Sequence, residues 1–89
     1  MQKKRRKLNK DYEKKIYSSK KDVELVLAKI YDINDEDIQK EYMAAFNRVV
    51  YLYDQLKEDY DQKGFNDYSD ELINDYKNAF NLFESEFEI

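Results

Sequence analysis

Proline is absent from this chain of 89 residues, and glycine occurs once, at Gly64. These two residues disfavour helix interiors most strongly and mark most turns, so a chain nearly free of them can continue through long helices. The abundance of Lys, Glu and Leu favours helix, whereas the nine Tyr and five Phe favour strand only weakly. We therefore expect an all-α protein with few and short connections.

Apolar residues recur at steps of three and four in three segments, as they do along one face of an amphipathic helix. The predicted helices span about 11–31, 35–63 and 70–87. A wide apolar face suits a helix that packs against two others, and the widest face belongs to the second helix. We predict that this helix forms the centre of the fold. Its main stripe comprises Ile38, Tyr42, Ala45, Val49, Leu52 and Leu56.

Residues at the ends of these segments fit the start and stop signals of helices. Asn9 or Asp11 is predicted to cap the first helix, Asn34 the second and Ser69 the third, because short polar side chains accept hydrogen bonds from free amides there. Gly64 is predicted to end the second helix in a Schellman motif, since glycine adopts a positive φ without strain.

Three amphipathic helices with short connections pack most simply as an up-down-up antiparallel bundle. We predict such a bundle over residues 10–89, preceded by a basic, flexible arm over residues 1–9. The regular three-four spacing also permits a coiled-coil dimer in which the second helix pairs with itself. The bundle predicts that two oppositely charged groups meet at one end. They are the lysines Lys10, Lys14 and Lys15 and the acids Glu58, Asp59, Asp61, Asp70 and Glu71.

Charge is divided unevenly along the chain. Residues 1–21 hold ten basic and two acidic residues, whereas the remainder holds six basic and eighteen acidic residues. The basic arm is a candidate for phosphate contacts with DNA or RNA, although the acidic body opposes such binding. A solvated tail ahead of a lysine-rich helix face is the simpler alternative. The arm residues are Lys3, Lys4, Arg5, Arg6 and Lys7.

Several classes of function lack the residues they require. The chain has no Cys and no His, so it offers no disulfide, no thiolate or imidazole metal ligand and no nucleophile of the Cys-His or Ser-His type. We expect a protein that is not an enzyme and needs no cofactor. The charged residues that follow the basic start do not form a signal peptide, and the apolar clusters are too short for a membrane span, so we expect a cytoplasmic location.

One stretch, residues 59–70, has the acids and the glycine spaced as in a calcium-binding EF-hand loop. Its candidate ligands are Asp59, Asp61, Asp67 and Asp70. Lys63 occupies a ligand position, however, and Asp70 is shorter than the bidentate Glu that usually closes the loop. A glycine helix stop followed by a serine cap explains the same residues without a metal.

Acidic residues concentrate on the polar faces of the second and third helices. Tyr51 in the second helix and Tyr17 in the first fall outside the apolar stripes. Exposed Tyr is a frequent anchor at protein interfaces because it offers contact area at a small entropic cost. Carboxylates spaced along a rigid helix imitate the charges of a phosphate backbone. The candidate partner-binding residues are therefore Asp54, Glu58, Asp61, Tyr51 and Glu41.

These features favour a small inhibitor of the phage or mobile-element type, which occupies a basic surface of a nucleic-acid-handling protein. The heavy use of Lys, Asn, Tyr and Ile, which is typical of AT-rich genomes, agrees with such a source. The mode of action would be that of anti-defence, anti-CRISPR-like or nucleic-acid-mimic proteins, although no motif connects the chain to such a family. The alternatives are a DNA- or RNA-associated regulator that uses the basic arm, and an immunity-type bundle that sequesters a toxin.

Overall fold

The computed structural model describes residues 7–88 of the chain, and that part folds into three α-helices. α1 spans Lys10–Tyr31, α2 spans Glu36–Lys63 and α3 spans Ser69–Glu86. Each bound lies within one residue of the predicted one, because the apolar stripes are long and regular. No helix within residues 7–88 is long and apolar enough to cross a membrane.

The helices run up, down and up, which confirms the predicted three-helix antiparallel bundle. The start of α1 meets the end of α2, where the Asn9 amide donates to the Tyr60 hydroxyl over 3.0 Å. The start of α2 meets the end of α3, where the ring centroids of Tyr42 and Phe87 lie 4.9 Å apart. Pairing of two copies through α2 stays a prediction.

Side chains of all three helices fill one core, and α2 lies at its centre as predicted. It contributes Phe46 and Leu56, both fully buried. The buried apolar side chains of the described residues are Tyr12, Val23, Val26, Ile30, Phe46, Val49, Tyr53, Leu56, Tyr60, Ile73, Tyr76 and Phe83.

α1 and α3 both pack on α2 but stay apart from each other. Within residues 7–88, no Cα atom of α1 lies within 8 Å of a Cα atom of α3. Two long tyrosine side chains bridge the gap: the Tyr12 hydroxyl donates to the Ser69 carbonyl (2.9 Å) and the Tyr76 hydroxyl to the Ser19 carbonyl (3.3 Å). The separation leaves an open groove between the two helices.

The helix caps differ in part from those predicted. Asn9 caps α1, since its Oδ1 accepts from the Tyr12 amide, but Asp35 rather than Asn34 caps α2. The predicted cap Ser69 is already helical and buried, and its hydroxyl accepts from the amide of Asn66 in the preceding connection. This bond fixes the connection, so the serine stabilises the turn instead of the free helix amides.

α2 ends at Gly64 as predicted, but not in a Schellman motif. Gly64 has φ 72° and ψ −165°, a region that only glycine adopts readily. Its amide closes the last turn on the Tyr60 carbonyl, and the next amide, of Phe65, donates to the Lys7 carbonyl over 2.6 Å. The ending therefore joins α2 to the segment ahead of α1. The remaining arm residues, Lys3, Lys4, Arg5 and Arg6, lie outside the described residues.

The predicted groups of opposite charge lie at the same end of the bundle, but the ion pairs seen there form inside α2. Lys57 pairs with Asp61 over 2.8 Å, and Lys63 with Asp59 over 3.4 Å. The three lysines of α1 stay exposed. Side chains four residues apart on one helix already face each other, so these pairs need no rearrangement between helices.

Candidate protein-binding surface

The outer face of α2 carries an exposed tyrosine followed by two carboxylates. Tyr51 is 61% exposed, and Asp54 and Glu58 are exposed one and two turns further along the same side of the helix. This face is free because the core positions of α2 lie on the opposite side. We define Tyr51, Asp54 and Glu58 as the acidic α2 surface.

Asp61 continues this surface by one turn, but its charge is partly offset. Its Oδ2 accepts a hydrogen bond from the Lys57 ammonium. That bond, and the attraction of the two charges, raises the pKa of Lys57. Asp61 therefore adds less negative potential than Asp54 or Glu58, for which the structure records no ion pair within residues 7–88.

Glu41 is exposed but does not join this surface. It lies ten positions before Tyr51, which corresponds to about 15 Å along the helix axis. It is also turned by roughly a quarter of the helix circumference from Tyr51. The five predicted partner-binding residues thus separate into a contiguous group and one distant carboxylate.

The stretch with EF-hand-like spacing, residues 59–70, is divided between the end of α2 and the connection to α3. Residues 59–63 continue α2, so Asp59 and Asp61 are helical and take part in the ion pairs described above. Asp59 also accepts from the side-chain amide of Asn66 (2.8 Å). Asp67 and Asp70 lie beyond Gly64, and within residues 7–88 no three acidic side chains are grouped closely enough to hold a metal ion. The helix-forming tendency of residues 59–63 therefore outweighs the EF-hand-like spacing of the acids.

A second surface, which sequence reasoning did not identify as a unit, lies on the outer face of α1. Lys10, Lys14, Tyr17 and Lys21 are all exposed and follow one another at steps of four, three and four. The Lys21 ammonium lies 4.7 Å from the centre of the Tyr17 ring, a cation-π contact. The same periodicity that reveals apolar stripes would have revealed this basic stripe.

The tyrosines with altered acidity belong to the core and not to either surface. Burial raises the pKa of Tyr12 and of Tyr53, and it raises the pKa of Tyr76 to about 12. A phenol with the ordinary pKa of 10.0 is already neutral at pH 7, and burial keeps these three neutral further into the alkaline range. Their arrangement supports helix packing.

The fold and these surfaces define a small all-α bundle with oppositely charged faces on neighbouring helices. No protein-family model matches the chain, and neither a curated protein nor a solved structure is significantly similar to it.

Proposed function

We propose that this chain is a non-enzymatic protein-binding module whose acidic α2 surface occupies a basic surface of a nucleic-acid-handling protein. The observation that carries the proposal is the exposed Tyr51 beside Asp54 and Glu58 on a rigid helix. The ring supplies an anchor that loses little entropy on binding, and the carboxylates steer it toward positive charge. The partner would be blocked by steric and electrostatic competition, as in inhibitors of the phage or mobile-element type.

The test is affinity capture from a low-GC bacterial lysate with the tagged chain, with and without nuclease treatment. The proposal predicts a specific protein that remains bound after nuclease. The double substitution Asp54→Lys, Glu58→Lys should abolish its retention, and Tyr51→Ala should weaken binding by about tenfold or more. A matched control, Asp32→Lys with Asp75→Lys, makes the same change in charge at exposed positions away from this surface and should bind normally.

A second function, binding of DNA or RNA, is favoured by the basic stripe on α1. Its lysines continue the basic run that begins at Lys3, and Tyr17 offers a ring on which a base can stack. In that case only nuclease-sensitive material would be captured. Deleting residues 1–8 or reversing Lys10, Lys14 and Lys21 to Glu would abolish the binding, while the α2 substitutions would leave it intact. Capture of a toxin in place of a nucleic-acid enzyme would favour the immunity-type alternative.

A further inference from the structure

The groove between α1 and α3 is lined by apolar side chains along its floor. Its larger part encloses ≈ 730 Å³, with the buried Val26 and Phe83 at the bottom and the half-buried Phe80 and Phe87 on the α3 side. Leu25 forms part of the α1 wall and is 57% exposed. Apolar side chains this open to water are stabilised when another apolar surface covers them.

The groove is long enough for a helix. Its larger part is continuous with a second part of ≈ 330 Å³, because Asp22, Phe80 and Glu84 line both. Together they extend along α1 from Lys15 to Lys29, fourteen positions that correspond to about 21 Å. A helix of about four turns would fill this length and convert three helices into a four-helix bundle.

The charges around the groove differ between its two ends. The end near the carboxyl termini of α1 and α3 carries Glu84 and Glu88 against Lys29, and the last turn of α3 contains no basic residue to offset its dipole. The opposite end carries Lys15 and Lys77. Asp22 lies between the two ends. A helix that runs antiparallel to α1 and α3 would place its positive amino end at the carboxylates and its negative carboxyl end at the lysines.

We propose that the α1–α3 groove binds an amphipathic helix of the partner protein that is basic at its amino end and runs antiparallel to both groove helices. This inference rests on the proposed function for the class of partner, a protein with a basic surface. It adds a second contact, which lies away from the acidic α2 surface and recognises a helix by its apolar stripe and the order of its charges.

The test uses a labelled amphipathic peptide of about fourteen residues, with Leu at the apolar positions, Arg in its first half and Glu in its second. Binding is measured by fluorescence anisotropy, and the site is located from methyl NMR shifts of Leu25 and Val26. We expect saturable one-to-one binding that shifts these methyl groups. A peptide of the same composition with the charges of the two halves exchanged should bind about tenfold more weakly. Equal affinity for both peptides, or shifts elsewhere, would overturn the proposal.

Two leucines provide a matched pair of variants. Leu25→Glu should weaken peptide binding by about tenfold or more, whereas Leu82→Glu should change it less than about twofold. Leu82 has the same exposed fraction, 57%, but lines the separate groove between α2 and α3. If the chain alone sediments as a dimer that Leu25→Glu dissociates, the groove is covered by a second copy and the proposal fails.

Binding of the peptide in the α1–α3 groove should not depend on the acidic α2 surface. Asp54→Lys with Glu58→Lys should leave peptide binding unchanged, because neither residue lines the groove. If the unsubstituted chain retains a protein after nuclease treatment but does not bind the peptide, the groove proposal alone fails. If it binds the peptide but retains no protein after nuclease treatment, the proposed function of the α2 surface alone fails.

Discussion

Four tyrosines are buried in the core, and they differ in what their hydroxyl groups bond. The hydroxyls of Tyr12 and Tyr76 donate to backbone carbonyls of the opposite helix, and that of Tyr60 joins the Asn9 amide to the Glu13 carboxylate. The hydroxyl of Tyr53 is buried and has no hydrogen-bond partner within residues 7–88. A buried polar group without a partner costs more than the mean hydrogen bond contributes.

Replacing tyrosine by phenylalanine should therefore affect the free energy of unfolding differently at Tyr53 than at Tyr12 and Tyr76. Tyr53→Phe removes an unpaired hydroxyl and should leave stability unchanged or raise it by about 1 kcal/mol, whereas Tyr12→Phe and Tyr76→Phe each break a bond and should cost about 1 kcal/mol. Urea unfolding followed by circular dichroism measures all three. Destabilisation by Tyr53→Phe equal to that by Tyr76→Phe would contradict the bonding described here.

The same burial makes stability depend on pH in the alkaline range. The ordinary pKa of tyrosine is 10.0, and burial raises that of Tyr76 in the folded state to about 12. Above pH 10 the unfolded chain loses this proton while the folded chain keeps it, so unfolding becomes easier as the pH rises toward 12. The raised pKa values of Tyr12 and Tyr53 act in the same direction.

Thermal unfolding between pH 8 and pH 11.5 should show a midpoint that is steady below about pH 9 and falls above pH 10. Tyr76→Phe should reduce the steepness of this fall, even though it lowers stability at neutral pH. Tyr51→Phe is the control, because Tyr51 is exposed and lies outside the core. A fall that is as steep in Tyr76→Phe as in the wild type would contradict this explanation.

At the scale of the elements, the two ends of α3 differ in how their charges meet the helix dipole. Asp70 and Glu71 in the first turn complement it, whereas Glu84 and Glu86 near the end oppose it, and the last turn of α3 contains no basic residue. Glu86→Lys should raise stability by about 0.3–1 kcal/mol, and Glu71→Lys should lower it by a similar amount. The two variants have the same net charge, so a difference between them that shrinks in high salt reports the dipole. Equal effects would contradict it.

The extent of the helices could be predicted from sequence more fully than their ends. The apolar stripe from Ile38 to Leu56 continues over many turns, so no single residue along it could change the prediction of a helix. The caps depend on single hydrogen bonds among neighbouring candidates: Asp35 was preferred over the adjacent Asn34, and Ser69 bonded back to Asn66. The spacing of acids over residues 59–70 did not decide the local structure either, because the stretch before Gly64 continues α2.

At the scale of the whole molecule, the arrangement of the helix faces around the bundle could not be predicted from the sequence. Periodicity placed Tyr51, Asp54 and Glu58 on one face, since that follows from helix geometry alone. The groove depends on the distance between α1 and α3, which is set by the tyrosines that bridge them. Leu25 and Phe87 line the same groove because α1 and α3 lie side by side, which neither apolar stripe alone predicts.

The same view places basic and acidic surfaces on adjacent helices. The basic stripe follows the first half of α1, and the acidic α2 surface lies in the second half of α2, which the antiparallel packing brings to the same end of the bundle. The protein thus carries a positive and a negative face on neighbouring helices. The uneven distribution of charge along the sequence therefore becomes a basic face on α1 and an acidic face on α2.

The most direct test of the central claim is amide hydrogen exchange of the chain alone and in complex with the protein it captures after nuclease treatment. Exchange in α2 around Tyr51, Asp54 and Glu58 should be slower in the complex, because binding there suppresses local opening of the helix. Protection that spares this part of α2 and follows Lys10 to Lys21 of α1 would contradict the account and assign binding to the basic stripe.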